Sequence, residues 1–399
     1  MNNEVTIKKL DKKECCGCSA CMQKCPTKAI SMVEDKEGFL YPVIDKNRCI
    51  KCGLCVNICP QLSYKQVENE GFPKAYACYN KNTDALSKSS SGGIFSVIAD
   101  CVLNKNGVVV GAAFDENLIL HHIAINSKED LYKLRGSKYL QSDINEMYKK
   151  TEEELKNNKT VLFTGTPCQI AGLKTYLIKD YDNLITADLV CHGVPSQKIF
   201  SKYVEYLENK YKSKIKSFNF RSKEKRGWGL TARIKTENGK IIDKNSSFDP
   251  YYNAFLQCET YRESCYQCKY TSYYRASDIT MADYWGILSV HPEFYSEKGV
   301  SLILINTEKG KRIFDIISDR INYIKTDIDK ASQKNMNLRH PSNRPDKRNY
   351  VYKNIDEKSC NKFVKENLKI KIKPKSLLKS LIPYKVKLFI KKASIKSND

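Results

Sequence analysis

Apolar residues along this chain come mostly in short runs broken by glycine and polar clusters, and only a few stretches carry helical spacing. That rhythm predicts a mixed sheet with helices between its strands, an α+β/α/β fold class. Ile30 to Val33 and Phe39 to Val43 read as short strands around a turn at Glu37 and Gly38. Residues 61 to 74 are polar, contain Gly71 and Pro73, and read as a linker; Tyr76 to Tyr79 then begins a larger unit. Ile94 to Leu103 reads as a helix, and Val108 to Phe114 with Leu118 to Ala124 as a strand pair. Val161 to Phe163 is a buried-type strand. It runs through Gly165 into a helix over Ile170 to Leu177, with Pro167 suited to its first turn. Leu184 to Val190 is another strand, followed by a helix from Gln197. Between Phe218 and Ile242 the pattern turns to antiparallel hairpins. Ser301 to Ile305 is a late strand, and a helix runs from Thr307 to Ile317.

Cysteine changes the picture most. Cys15, Cys18, Cys21 and Cys25-Pro26 repeat as Cys49, Cys52, Cys55 and Cys59-Pro60. This is the run by which bacterial ferredoxins hold two [4Fe–4S] clusters, three sulfurs from one repeat and the fourth from the other. It pairs Cys15, Cys18, Cys21 and Cys59 on one cluster and Cys49, Cys52, Cys55 and Cys25 on the second. Small residues between the ligands (Gly17, Ser19, Ala20, Gly53) let the backbone approach the sulfurs. Structural zinc takes well-separated CxxC pairs, and a disulfide framework needs an oxidising compartment, so evenly spaced quartets favour cubanes. Cys16 breaks no spacing and reads as a spare thiol. Two further strand ends carry Cys168 and Cys191, and Cys265 with Cys268 forms a lone CxxC. Those four thiols suffice for a third cluster, with Cys258 as a rival ligand and buried structural cysteines as the plain alternative.

The remaining features bound the setting. At 399 residues the chain exceeds one ferredoxin module. The boundaries expected are a ferredoxin domain at 1–65, a linker at 66–74, a large domain at 75–350 and a basic tail at 351–399. Met1 to Lys9 has no apolar core, and no stretch is long and apolar enough to span a bilayer, so a cytoplasmic protein is expected. The formal charge of +23 is concentrated at the end, where Lys362 to Asp399 holds twelve lysines against Glu366 and Asp399. With Leu377, Leu378, Leu381 and Ile382 among others interleaved, this tail suits an anionic membrane face, an acidic partner or a plain terminal helix. No nucleic-acid motif accompanies the charge. Ser91, Gly92 and Gly93 ahead of a helix, and the turn Arg135-Gly136-Ser137-Lys138, suit an anion or an ordinary cap and surface turn.

Taken together, several segments resemble the beta subunit family of coenzyme F420 hydrogenase and dehydrogenase, here with a fused N-terminal ferredoxin. They are Ser91-Gly92-Gly93, Arg135 to Tyr139, Gly165-Thr166-Pro167-Cys168-Gln169, Cys191-His192-Gly193, Ser264 to Cys268, Ser277 to Thr280, Asp283-Tyr284-Trp285-Gly286 and His340-Pro341-Ser342 with Arg344. The resemblance implies FAD and a third [4Fe–4S] cluster on Cys168, Cys191, Cys265 and Cys268. It implies a mixed-sheet domain that binds flavin through Ser91, Gly92, Gly93, Arg135, Gly136, Lys138, Gly165, Thr166 and Gln169. The activity implied is an iron–sulfur flavin-dependent oxidoreductase, with His192 and Asp283 as candidate catalytic groups. Its partner would be a redox protein or a small-molecule electron acceptor. Relatives beside surface-polysaccharide gene sets extend the expectation to that biosynthesis. The alternatives are an electron-transfer subunit without a substrate site and an iron–sulfur scaffold at a membrane surface.

Overall fold

The computed structural model describes residues 5–65, 68–370 and 386. Strands β1 (Ile30–Glu34) and β2 (Leu40–Ile44) form the expected antiparallel hairpin between the two N-terminal cysteine loops. Gly38, at φ +82°, makes its turn, and a side chain there would strike Lys198.

The large unit follows with β3 (Lys74–Asn80), β4 (Val108–Phe114), β5 (Leu120–Ile125), β6 (Val161–Gly165) and β7 (Leu184–Leu189). A separate antiparallel sheet comprises β8 (Ile215–Asn219), β9 (Thr231–Thr236) and β10 (Ile241–Asn245). The chain then returns through β11 (Ile279–Asp283), β12 (Ser301–Ile305) and β13 (Ile321–Lys325). The main sheet has eight strands in the order β13-β3-β12-β11-β7-β6-β4-β5. Its centre is parallel, β4 with β6, β6 with β7 and β7 with β11, while β12, β13 and β5 pair antiparallel. Both faces of those central strands are covered, and they read as near-continuous apolar runs for that reason.

The register puts the carboxyl ends of β6, β7 and β11 on one edge, where Gly165 pairs with Asp188 and Met281 with Leu189. Ligands of open α/β sheets bind at this edge. The helix Ile94–Leu103 forms over the residues expected, and Pro167 occupies the first turn of Pro167–Leu177. Leu118 lies in a left-handed turn (φ +59°) rather than in β5, which starts two residues later.

One boundary moves. The tail expected from 351 instead packs into the core as far as Leu368: Val351, Tyr352, Ile355, Phe363, Val364 and Leu368 are buried in one cluster with Phe200 and Tyr251, and Cys360 is buried as well. The helix Cys360–Asn367 supplies part of that face despite its lysines. From residue 371 onward, the segment expected to meet a membrane lies, apart from Val386, outside the described residues. Among the described residues no helix is long and apolar enough to cross a bilayer.

Candidate electron-transfer site

The first N-terminal thiol set is assembled by left-handed turns. Gly17 (φ +67°) and Ser19 (φ 63°) curl the first loop, and Gly53 (φ +74°) curls the second. Cys15 and Cys59 lie near enough to bear on Cys21, and Cys21 on Cys18, so the ligands proposed for this set are neighbours; Cys55 of the second set also bears on Cys21. Burial raises Cys21 and pushes Cys59 up to about 12. Backbone N–H groups of Gly17, Ala20, Met22 and Gln61 point at the sulfurs of Cys15, Cys18, Cys21 and Cys59. Sulfurs that receive several amides inside protein are suited to anionic clusters. In the second set Cys49 and Cys52 bear on Cys55, and the Ala29 N–H donates to Cys25 Sγ at 3.2 Å. Burial alone would raise the Cys25 thiol, but amide and hydroxyl donors outweigh it and lower it. Cys52 is exposed, so this set lies nearer solvent than the first.

The four large-domain thiols come together at the carboxyl edge of the sheet. Cys168 opens the helix after β6, Cys191 follows β7, and Cys265 and Cys268 lie on and just after the turn Glu263–Gln267. Cys268 bears on Cys168, Cys191 and Cys265, and Cys191 on Cys265. Burial raises all four, Cys191 to about 12, although for Cys168 contact with Cys16 is the larger cause. Gly193, Val194 and Tyr270 direct N–H groups at Cys191, Cys265 and Cys268. Thr166 Oγ1 lies 3.2 Å from Cys168 Sγ. Half-buried thiols with ready-made amide donors fit a metal cluster, which deprotonates its ligands outright. Among the described residues no three such side chains converge on a single metal ion. Cys258 lies instead against Tyr261.

Cys16 is not spare. It is buried, and its thiol contacts both Cys18 of the first set and Cys168 of the third. Helix packing makes room for this: a Cβ on Gly172 would come within 3.1 Å of Cys18 Sγ and 2.8 Å of the Tyr148 hydroxyl. The ferredoxin module is therefore seated on the large domain with two thiol sets adjoining.

On the same edge the glycine segment and the basic turn meet. The Ser137 N–H donates to Ser90 Oγ at 2.8 Å, and Arg135 Nε to Ser96 Oγ at 3.0 Å. Gly92 has no room for a side chain, since a Cβ would lie 2.4 Å from the Cys78 carbonyl; Gly136 faces open space. The Gly92 N–H, expected to face an anion, is taken by Ser301 Oγ at 2.9 Å. Basic side chains are what the site offers. Burial lowers Lys138 and Lys223 to about 7 each, and both ammoniums donate only to neutral carbonyls, of residues 133 to 135 and of Leu86 and Ser91.

Asp283 is held bidentately by Arg221 at 2.7 and 2.9 Å and by Trp228 Nε1 at 2.6 Å. Burial would raise its carboxyl, but Arg221 holds it below the usual range. It thus anchors the end of β11 rather than offering a free carboxylate. His192 is exposed; partial enclosure lowers its pKa, the charge of Asp283 opposes that, and its carbonyl accepts from Ser342 Oγ. Gln169 is committed to its own helix, accepting from the Thr166 N–H at 2.9 Å and donating to Ser142. Gly165 lies against Gln169 and His122. A cavity of about 90 Å³, lined by Tyr64, Pro167, Lys269, Tyr270 and Arg275 among others, is too small for a flavin. Sequence reasoning missed Arg221, Lys223, Trp228 and Arg262, whose partners are remote in the chain.

Comparison with known proteins finds family matches along most of the chain. The models for the coenzyme F420 hydrogenase/dehydrogenase beta subunit match at residues 75–149 for its N-terminal part and 158–331 for its C-terminal part. A 4Fe-4S dicluster domain matches 14–62. No curated protein matches the chain. Among solved structures, a chain of the xenon-derivatized F420-reducing [NiFe] hydrogenase complex from Methanosarcina barkeri is similar at 17% identity. The match covers 68% of this chain and 92% of that one, with a TM-score of 0.47.

Proposed function

This chain belongs to the coenzyme F420 hydrogenase/dehydrogenase beta subunit family, and from that premise we propose that it is a three-cluster flavoprotein oxidoreductase. Cys15, Cys18, Cys21 and Cys59 would hold the first cluster, Cys49, Cys52, Cys55 and Cys25 the second, and Cys168, Cys191, Cys265 and Cys268 the third. The observation that carries the reading is Cys16, buried between a ligand of the first set and a ligand of the third. Electron transfer between centres needs such adjacency, whereas two independent structural clusters do not.

FAD would lie at the carboxyl edge, with Arg135, Lys138 and Lys223 facing its pyrophosphate. Half-buried cations that meet only neutral oxygens are suited to a phosphate charge. When bound, a flavin supplies the exchange between one-electron cluster chemistry and two-electron transfer to a substrate. Arg221 and Trp228 fix Asp283, which in turn steadies the loop that follows β11. His192 is the exposed proton-exchanging group at this edge. The substrate is a small-molecule or protein electron acceptor, and a place in surface-polysaccharide synthesis is the setting we assign.

Anaerobic purification followed by iron and flavin quantitation tests this. About twelve irons, four per cubane, and one FAD per chain are expected. An iron-loaded protein without flavin, even after incubation with FAD, would contradict the flavoenzyme and favour a pure electron carrier.

A further inference from the structure

Among the described residues four arginines are almost wholly buried: Arg221, Arg262, Arg275 and Arg348. Three of them meet a carboxylate, Arg221 with Asp283, Arg275 with Asp188 and Arg348 with Glu37. Arg262, fully inaccessible, is different. Its guanidinium donates to the carbonyl of Cys15 at 2.6 Å, the carbonyl of Leu40 at 2.9 Å and the Gln141 side-chain oxygen at 3.2 Å, all neutral acceptors. It also lies over the ring of Tyr41 at 4.1 Å. A guanidinium keeps its proton in a protein, and a buried charge without a counter-charge is strongly disfavoured.

The ionisable groups near enough to bear on Arg262 are Cys15, Tyr41, Cys16 and Cys265, and of these Cys15 and Cys265 become anionic as cluster ligands. Cys15 belongs to the first ferredoxin set and Cys265 to the large-domain set. The loop is shaped around the cation as well, since a Cβ on Gly17 would come within 2.8 Å of Arg262 Nη1. We propose that Arg262 is the shared counter-cation of the first and third clusters, holding two anionic centres side by side and raising the reduction potential of both. This inference rests on the three-cluster reading. Each one-electron reduction adds a negative charge to a cluster, so a fixed neighbouring cation favours the reduced form. Arg262 is a positioning residue in this sense, since it acts through the clusters.

The test is an EPR-monitored reductive titration of the anaerobically purified full chain, as wild type, Arg262→Gln and Gln141→Glu. With Arg262→Gln, the reduced-to-oxidised ratio of the first and third clusters at a fixed potential should fall about tenfold, which is about 59 mV for one electron. The second cluster, on Cys49, Cys52, Cys55 and Cys25, should hold its potential. Gln141→Glu keeps the arginine and nearly the same shape but gives it a competing carboxylate, so the same two potentials should fall. That variant decides the matter if Arg262→Gln does not fold. Unchanged potentials in an iron-replete variant, or an equal fall at all three clusters, would overturn the proposal. About eight irons in the wild type would overturn the three-cluster reading itself, and the sharing with it.

Discussion

At the residue scale, the carboxyl edge is built from polar groups whose protonation is decided by burial. His122, on β5, is the clearest case. Its Nε2 donates to the Thr164 carbonyl at 3.0 Å, and its Nδ1 accepts from Ser142 Oγ at 2.8 Å. That pairing needs a neutral ring, and burial lowers the pKa from 6.5 to about 4. The folded pKa lies below the unfolded one, so the contribution is fully present above pH 6.5 and is lost as pH falls toward 4. Full loss would amount to roughly 3 kcal/mol. Anaerobic thermal denaturation of wild type and His122→Gln should therefore give midpoints that diverge less at pH 5.5 than at pH 7.5. An equal gap at both pH values would contradict this. The cysteine ligands were legible because their spacing is local; Arg262 and Cys16 were not, because their roles depend on groups from another domain. Arg262 stands three residues before Cys265, but nothing local shows that its side chain reaches the Cys15 loop.

At the scale of elements, the strands with continuous apolar runs were readable and those with mixed runs were not. β4 and β12 are buried on both faces and match the expected residues. β11 and β13 are shorter in apolar content, with Thr280 and Asp283 in one and alternating exposure in the other, and their sheet neighbours are distant in sequence. The helix Met147–Lys156 escaped notice because only Tyr148, Thr151 and Leu155 are buried on it. The helix Cys360–Asn367 was hidden by charge. Its buried positions, Cys360, Phe363, Val364 and Asn367, follow helical spacing, while the lysines between them face outward. Phe363→Ala should cost about 3–5 kcal/mol, the usual penalty for emptying a buried phenylalanine site. A denaturant melt with less than about 0.5 kcal/mol of change would mean that this helix is not part of the core.

At the scale of the whole molecule, the ferredoxin module and the large domain form one packed body. Arg348 grips Glu37 bidentately, Ser196 Oγ donates to the Glu37 carbonyl, the Tyr270 hydroxyl to the Pro60 carbonyl, and Arg262 to the carbonyls of Cys15 and Leu40. Apolar contacts continue through Cys16, Cys18, Ala20 and Ile58 into the core around Phe163 and Ile170. The parallel sheet brings Cys168 and Cys191 to one edge, and the module presses its first thiol set against them. The account stands on the large domain holding a cluster of its own there. Iron counted per chain, in anaerobically purified wild type beside Cys265→Ala, tests this most directly. About twelve irons falling to about eight, with both ferredoxin-type EPR signals retained, is the predicted result; about eight irons in both proteins would contradict it.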